Sequence, residues 1–88
     1  MSEPLWKREP IFVACETYMR HHPTVKNKTE LAGIIGVSKE DLYTFFAGNR
    51  ILNKSVISTI ANFFQIEIGV ALMEYDGNVK KYKAKAGL

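Results

Sequence analysis

The chain has 88 residues, of which 47% are hydrophobic and 24% are charged. This balance indicates a single small globular domain and excludes an intrinsically disordered chain. The formal net charge is +3, and the positive excess lies at one end. Residues 1–76 carry eight basic and nine acidic side chains, whereas the last twelve residues carry four lysines and no acid. A basic end of this kind either attracts a polyanion or is solvated charge that aids solubility.

The cysteine content and the hydropathy pattern exclude several further classes. Cys15 is the only cysteine, so the chain can form neither an internal disulfide nor a cysteine-based metal site. We therefore expect a buried thiol and a reducing, cytoplasmic location. The longest uncharged run, Ser55 to Ile66, is too short and too polar to span a bilayer. The first ten residues, MSEPLWKREP, do not read as a signal peptide.

The first predicted elements are an irregular lead-in and a helix. Residues 1–9 contain Pro4 and are followed by Pro10, which indicates irregular structure, and we expect Trp6 to fold back onto the core. Pro10 suits the first position of a helix. That helix ends at His21-His22-Pro23, because a residue that precedes proline avoids the α region. Its inner face follows the helical spacing of Ile11, Cys15, Tyr18 and Met19.

Two short helices separated by a tight turn are predicted next. Asn27 with Glu30 fits a capping box, and the helix that follows should end at Gly36. Ser38 caps the next helix, which should end at Gly48. A turn of three or four residues with a glycine inside it is typical of a helix-turn-helix.

The C-terminal third begins with a fourth helix, from about Lys54 to Phe64, with a wide apolar face. Residues 66–83 permit two structures. Period-two alternation from Ile66 to Leu72 favours a strand, with Asp76-Gly77 as a hairpin turn. Residues 71–74 are better helix formers, and a short helix is our preferred reading. The predicted organisation is a lead-in at 1–9, a helix-turn-helix domain at 10–75, and a basic C-terminal tail at 76–88.

The segment KTELAGIIGVSKEDLYTFFAG, residues 28–48, resembles the helix-turn-helix of the lambda-repressor and Cro-like (XRE-type) family of phage and bacterial DNA-binding regulators. Ala32 occupies the position of a small residue between crossed helices, and Gly36 is the turn glycine. Gly48 followed by Asn49-Arg50 resembles the run that ends the family's recognition helix. The apolar positions that match are Leu31, Ile35, Val37, Leu42 and Phe45. The resemblance covers residues 10–75.

This resemblance implies an all-α domain of four to five helices, and a transcriptional regulator such as a phage or bacterial repressor. In this family the second helix of the pair enters the major groove of double-stranded DNA. The residues that the resemblance turns toward bases are Ser38, Lys39, Glu40, Tyr43, Thr44 and Ala47. Those that it assigns to phosphates are Lys28, Asn49, Arg50 and Lys54. It further implies a homodimer, for which the apolar residues after Phe64 are the expected surface. From the residue types themselves we expect no cofactor, metal or small-molecule substrate.

The sequence departs from the family pattern at the tip of the recognition helix. Glu40 and Asp41 place two carboxylates where phosphates would approach, although acidic residues also suit the positive end of a helix. Tyr43 is a large aromatic residue at a groove position. These features define an alternative, a protein-interaction module on the same fold, such as a phage-encoded inhibitor or an antitoxin-like partner. No arrangement of catalytic residues is apparent, so we do not expect an enzyme.

Overall fold

A computed structural model describes residues 4–87, and these residues form five α-helices and no strand. The helices are α1 (Pro10–His21), α2 (Lys28–Ile35), α3 (Lys39–Ala47), α4 (Lys54–Phe63) and α5 (Ile68–Ala86). The predicted all-α class is thus confirmed. Residues 1–3 of the predicted lead-in and Leu88 of the predicted tail lie outside the described residues.

The helix-turn-helix begins and ends at the predicted capping residues. The Asn27 side chain accepts a hydrogen bond from the Glu30 N–H at 3.0 Å, which starts α2. Ser38 Oγ accepts from the Asp41 N–H at 3.1 Å, which starts α3. Gly36 has φ 99°, a left-handed conformation that a residue with a side chain rarely adopts. The chain can therefore leave α2 and enter α3 within three residues.

The core lies between the helix-turn-helix and the helices that flank it. Trp6 lies inside this core, as expected, with no exposed surface. Its Nε1 donates a hydrogen bond to the Phe45 carbonyl at 2.6 Å, and its ring lies 5.2 Å from that of Tyr75. The lead-in is therefore attached both to the end of α3 and to α5. Other fully buried side chains are Ile11, Cys15, Leu31, Leu42, Phe45, Ile57 and Ile60.

The C-terminal segment is helical, as the preferred reading predicted, but the helix is much longer than the short helix expected. The hairpin is not formed, and the predicted C-terminal tail at 76–88 is helical as far as Ala86, because α5 continues unbroken for 19 residues. Its start is capped by the Glu67 side chain, which accepts from the N–H groups of Gly69 and Val70. Ala71, Tyr75 and Val79 are buried at helical spacing, so the helix gains its stability from packing.

Asp76-Gly77, which we predicted as a hairpin turn, lies inside α5. Asp76 pairs there with Lys80 one turn later, at 3.8 Å. The C-terminal lysines therefore project from a folded helix. Within residues 4–87, no helix combines the length and the apolar character that crossing a membrane requires.

Candidate nucleic-acid interface

One face of α3 is open to solvent, and it carries the residues predicted to enter the major groove. Of the six, Ser38, Lys39, Glu40, Tyr43 and Ala47 are exposed and Thr44 is half-buried. Tyr43 has 45% of its surface exposed. The structure thus leaves five of the six predicted residues exposed, with Ser38 at the N-cap and the other four on α3.

The opposite face of α3 attaches this helix to the domain. Leu42 and Phe45 have no exposed surface and belong to the same core cluster as Leu31 and Ala32 of α2. Burial of a leucine and a phenylalanine side chain contributes about 1.5–3 kcal/mol each. The outer face of α3 is therefore presented by a helix with a fixed position.

Lys28, predicted to meet a phosphate, lies against aromatic side chains of α3. Its Nζ is 4.7 Å from the ring centroid of Phe46 and 5.7 Å from that of Tyr43. Thr29 Oγ1 donates to the Tyr43 hydroxyl at 3.4 Å. The first turn of α2 and the exposed face of α3 therefore form one continuous surface. The sequence did not predict a role for Thr29, because this residue contacts Tyr43 only where α2 and α3 cross.

The loop at residues 48–53, which carries the predicted phosphate contacts Asn49 and Arg50, is held by α5. The Tyr82 hydroxyl donates to the Asn49 carbonyl at 2.8 Å. Nearer the core, the Leu52 N–H donates to the Tyr75 hydroxyl at 2.8 Å. Both tyrosines lie in the segment whose structure the sequence left open, so their contact with this loop was not foreseen.

Arg50 lies beside one of the two acids at the start of α3. Its Nη2 is 3.9 Å from Asp41 Oδ1, and the arginine side chain is 63% exposed. An ion pair this long and this exposed contributes at most about 1 kcal/mol. Arg50 can therefore turn toward a phosphate at low cost, although Asp41 reduces the net charge that the phosphate would meet.

Lys54 completes the predicted phosphate set at the first position of α4. Asn53 caps that helix by accepting from the Ser55 N–H at 2.9 Å. Lys54 is exposed, as are Asn49 and Arg50. The predicted interface as a whole holds four cations, namely Lys28, Lys39, Arg50 and Lys54, against the carboxylates of Glu40 and Asp41. Its net charge is therefore positive.

A second exposed area lies on α5, where the sequence predicted a dimer surface. Ile68, Val70 and Met73 are exposed, Met73 to 73%. Ile66 and Leu72 are half-buried against the core. Val70 and Met73 lie three positions apart and are neighbours on one face of the helix, and exposed apolar areas of this kind occur at protein interaction sites.

One buried thiol lies outside this surface. Burial raises the pKa of the Cys15 thiol to about 12, so it is a core residue in the protonated form. Residues 4–87 contain no group of three or more histidine, cysteine, aspartate or glutamate side chains that could hold a metal ion.

Comparison with known proteins returned no matching protein-family model, no matching curated protein and no matching solved structure.

Proposed function

We propose that the protein is a sequence-specific double-stranded DNA-binding regulator of transcription that inserts residues 38–47 into the major groove. The observation that supports this function is the open outer face of α3, with Lys28 beside Tyr43 and Arg50 beside Asp41. An α-helix with its side chains is about 10–12 Å across and fits a groove about 12 Å wide.

The proposed contacts divide into two kinds. Lys39, Glu40 and Thr44 read base edges, since lysine donates to guanine and glutamate accepts from cytosine N4. Lys28, Asn49, Arg50 and Lys54 bind phosphates and set the register of α3 in the groove. The hydrogen bond from Tyr82 to the Asn49 carbonyl supports this arrangement, because it holds the phosphate-binding loop in place before DNA arrives.

The proposed active form is a cytoplasmic homodimer that acts as a phage or bacterial repressor. A single helix of this size reads only a few base pairs, and a two-fold dimer doubles the contacts. The exposed apolar neighbours Val70 and Met73 on one face of α5 suit a self-complementary contact. Such a dimer requires a pseudo-palindromic site with half-site centres about 34–36 Å apart.

The test is selection of bound sequences from random duplex DNA, combined with a sedimentation measurement of mass. Lys39→Ala and Thr44→Ala should change the preferred sequence. Arg50→Ala should weaken binding to all sequences alike and lower the salt slope by about 1. Arg20→Ala, an exposed arginine of α1 outside the proposed interface, is the matched control. An unchanged sequence preference in both α3 variants would contradict the assigned roles.

A second candidate function is a protein-interaction module on the same fold. It is favoured by the proximity of Asp41 to Arg50 and by the exposed carboxylate of Glu40, both of which oppose phosphate binding. Retention on random duplex DNA at about 50 mM salt separates the two functions, since a DNA-binding protein elutes late with steep salt dependence. Failure to bind any duplex under this condition would select the interaction module.

A further inference from the structure

A small cleft adjoins the proposed interface between α5 and the segment at the start of α4. Its volume is about 190 Å³, and Leu52, Leu72 and Val79 contribute apolar side chains to its lining. Lys54 of α4 and Lys83 of α5 line the same cleft from opposite elements, and both residues are exposed. Two lysines from different helices therefore line one cleft.

The balance of charge at this opening is positive. Asp76 is the carboxylate that lines the cleft, and its Oδ2 lies 3.8 Å from the Nζ of Lys80. Lys80 offsets the charge of Asp76, so Lys54 and Lys83 remain as the local excess. A group that fits such a site carries a negative charge and approaches from solvent.

The turn of α5 that carries Lys83 is attached to the loop after α3. Tyr82, its neighbour, donates to the Asn49 carbonyl at 2.8 Å, and Asn49 is one of the proposed phosphate contacts. Lys83 therefore lies on a helix bound to the proposed interface rather than on a flexible tail. A cation positioned in advance loses less conformational entropy when it binds than one on a disordered segment.

We propose that Lys83, together with Lys54, contacts a backbone phosphate of the bound DNA, so that the DNA-binding surface extends from α3 across residues 48–53 onto α5. This inference rests on the proposed function and adds a helix to its interface. Successive residues of a helix are about 100° apart, so Lys81 projects from nearly the opposite side of α5. Lys81 indeed lines a different cavity, beside Glu9 and Asn78.

The experiment compares Lys83→Ala with Lys81→Ala in the full-length protein. Both changes remove one lysine from the same exposed stretch of the same helix, so they alter the net charge equally. Binding to a random-sequence duplex is measured from about 50 to 200 mM salt. Circular dichroism verifies that each variant retains its helix content.

We expect Lys83→Ala to weaken binding and to lower the salt slope by about 0.9, the value for one phosphate contact. As the salt concentration rises from about 50 to 200 mM, the ratio of the wild-type binding constant to that of Lys83→Ala should fall about threefold. Lys81→Ala should bind like the wild type, and Lys83→Arg should retain the wild-type slope.

Each alternative outcome is decisive. If the wild type binds duplex DNA and the salt slopes of Lys83→Ala and Lys81→Ala are equal, the role of Lys83 is overturned and the proposed function stands. A wild-type protein that binds no duplex would overturn both.

Discussion

Glu9 gives the strongest prediction about the folded state. Only 4% of its surface is exposed, and it is the one buried charged residue in the described part of the chain. Its Oε2 accepts from the Asn78 side chain, whereas its Oε1 has no hydrogen-bond partner among the described residues. Burial raises its pKa from 4.5 to about 7, the Asn78 hydrogen bond opposes this rise, and the charge of Glu74 adds to it.

The consequence is that the contribution of Glu9 to the free energy of unfolding falls as the pH rises. In the unfolded chain Glu9 loses its proton near pH 4.5, whereas in the folded protein it keeps that proton until about pH 7. Between these values the folded state binds more protons than the unfolded state, so the free energy of unfolding decreases with increasing pH. The difference between the two pKa values corresponds to about 3 kcal/mol. Lys7, Arg8, Glu74 and Lys81 line the cavity beside Glu9.

Glu9→Gln removes the charge and keeps the size and the hydrogen-bonding capacity of the side chain. We expect the variant to match the wild type near pH 4 and to be more stable by about 2–3 kcal/mol near pH 8. Urea unfolding at constant protein concentration measures this, with fluorescence of Trp6, the only tryptophan and a fully buried one, as the signal. Glu40→Gln, at an exposed carboxylate, is the control for a general change of net charge. Parallel stability curves for Glu9→Gln and the wild type from pH 4 to pH 8 would refute the reasoning.

Three further predictions concern α3 and α1. Gly48→Ala should destabilise the fold by more than about 1 kcal/mol, because Gly48 has φ 69° and an added Cβ would lie 2.5 Å from Pro4 Cβ; thermal unfolding measures the loss, and an unchanged melting temperature would contradict it. Cys15 should resist iodoacetamide at pH 8 and react after unfolding in urea, since its thiol is buried with a pKa of about 12; rapid labelling of the native protein would oppose this. Asp41→Asn should strengthen binding to random duplex DNA at low salt, because it removes the carboxylate beside Arg50; equal or weaker binding would speak against phosphate contact at this position.

The ends of the first four helices could be predicted because their signals are local. A capping side chain and the N–H that it satisfies are two or three residues apart, as at Asn27 with Glu30 and at Ser38 with Asp41. The left-handed conformation of Gly36 likewise follows from the absence of a side chain at that residue. The exposed face of α3 follows from the spacing of its buried residues, Leu42 and Phe45. Binding of DNA by this face is a proposal, which we base on its side chains.

The fifth helix was decided by tertiary structure. Residues 66–72 follow the period of a strand, whereas residues 71–74 have the propensity of a helix, so no local signal selects one structure. The helix is selected because Ala71, Tyr75 and Val79 are buried against the rest of the domain. This packing also keeps Asp76-Gly77 helical. Local pattern therefore determined where the first four helices begin and end, whereas α5 depended on an apolar surface that exists only after those helices have packed.

The contacts between distant residues were also decided by tertiary structure. Trp6 meets the Phe45 carbonyl across 39 positions of sequence, and Tyr82 meets the Asn49 carbonyl across 33. The sequence by itself determined the helix-turn-helix and the residues on its exposed face, because those depend on spacings of three and four residues. Only the folded chain decided what supports that face, because a hydrogen bond between residues so far apart forms only when the helices have brought them together.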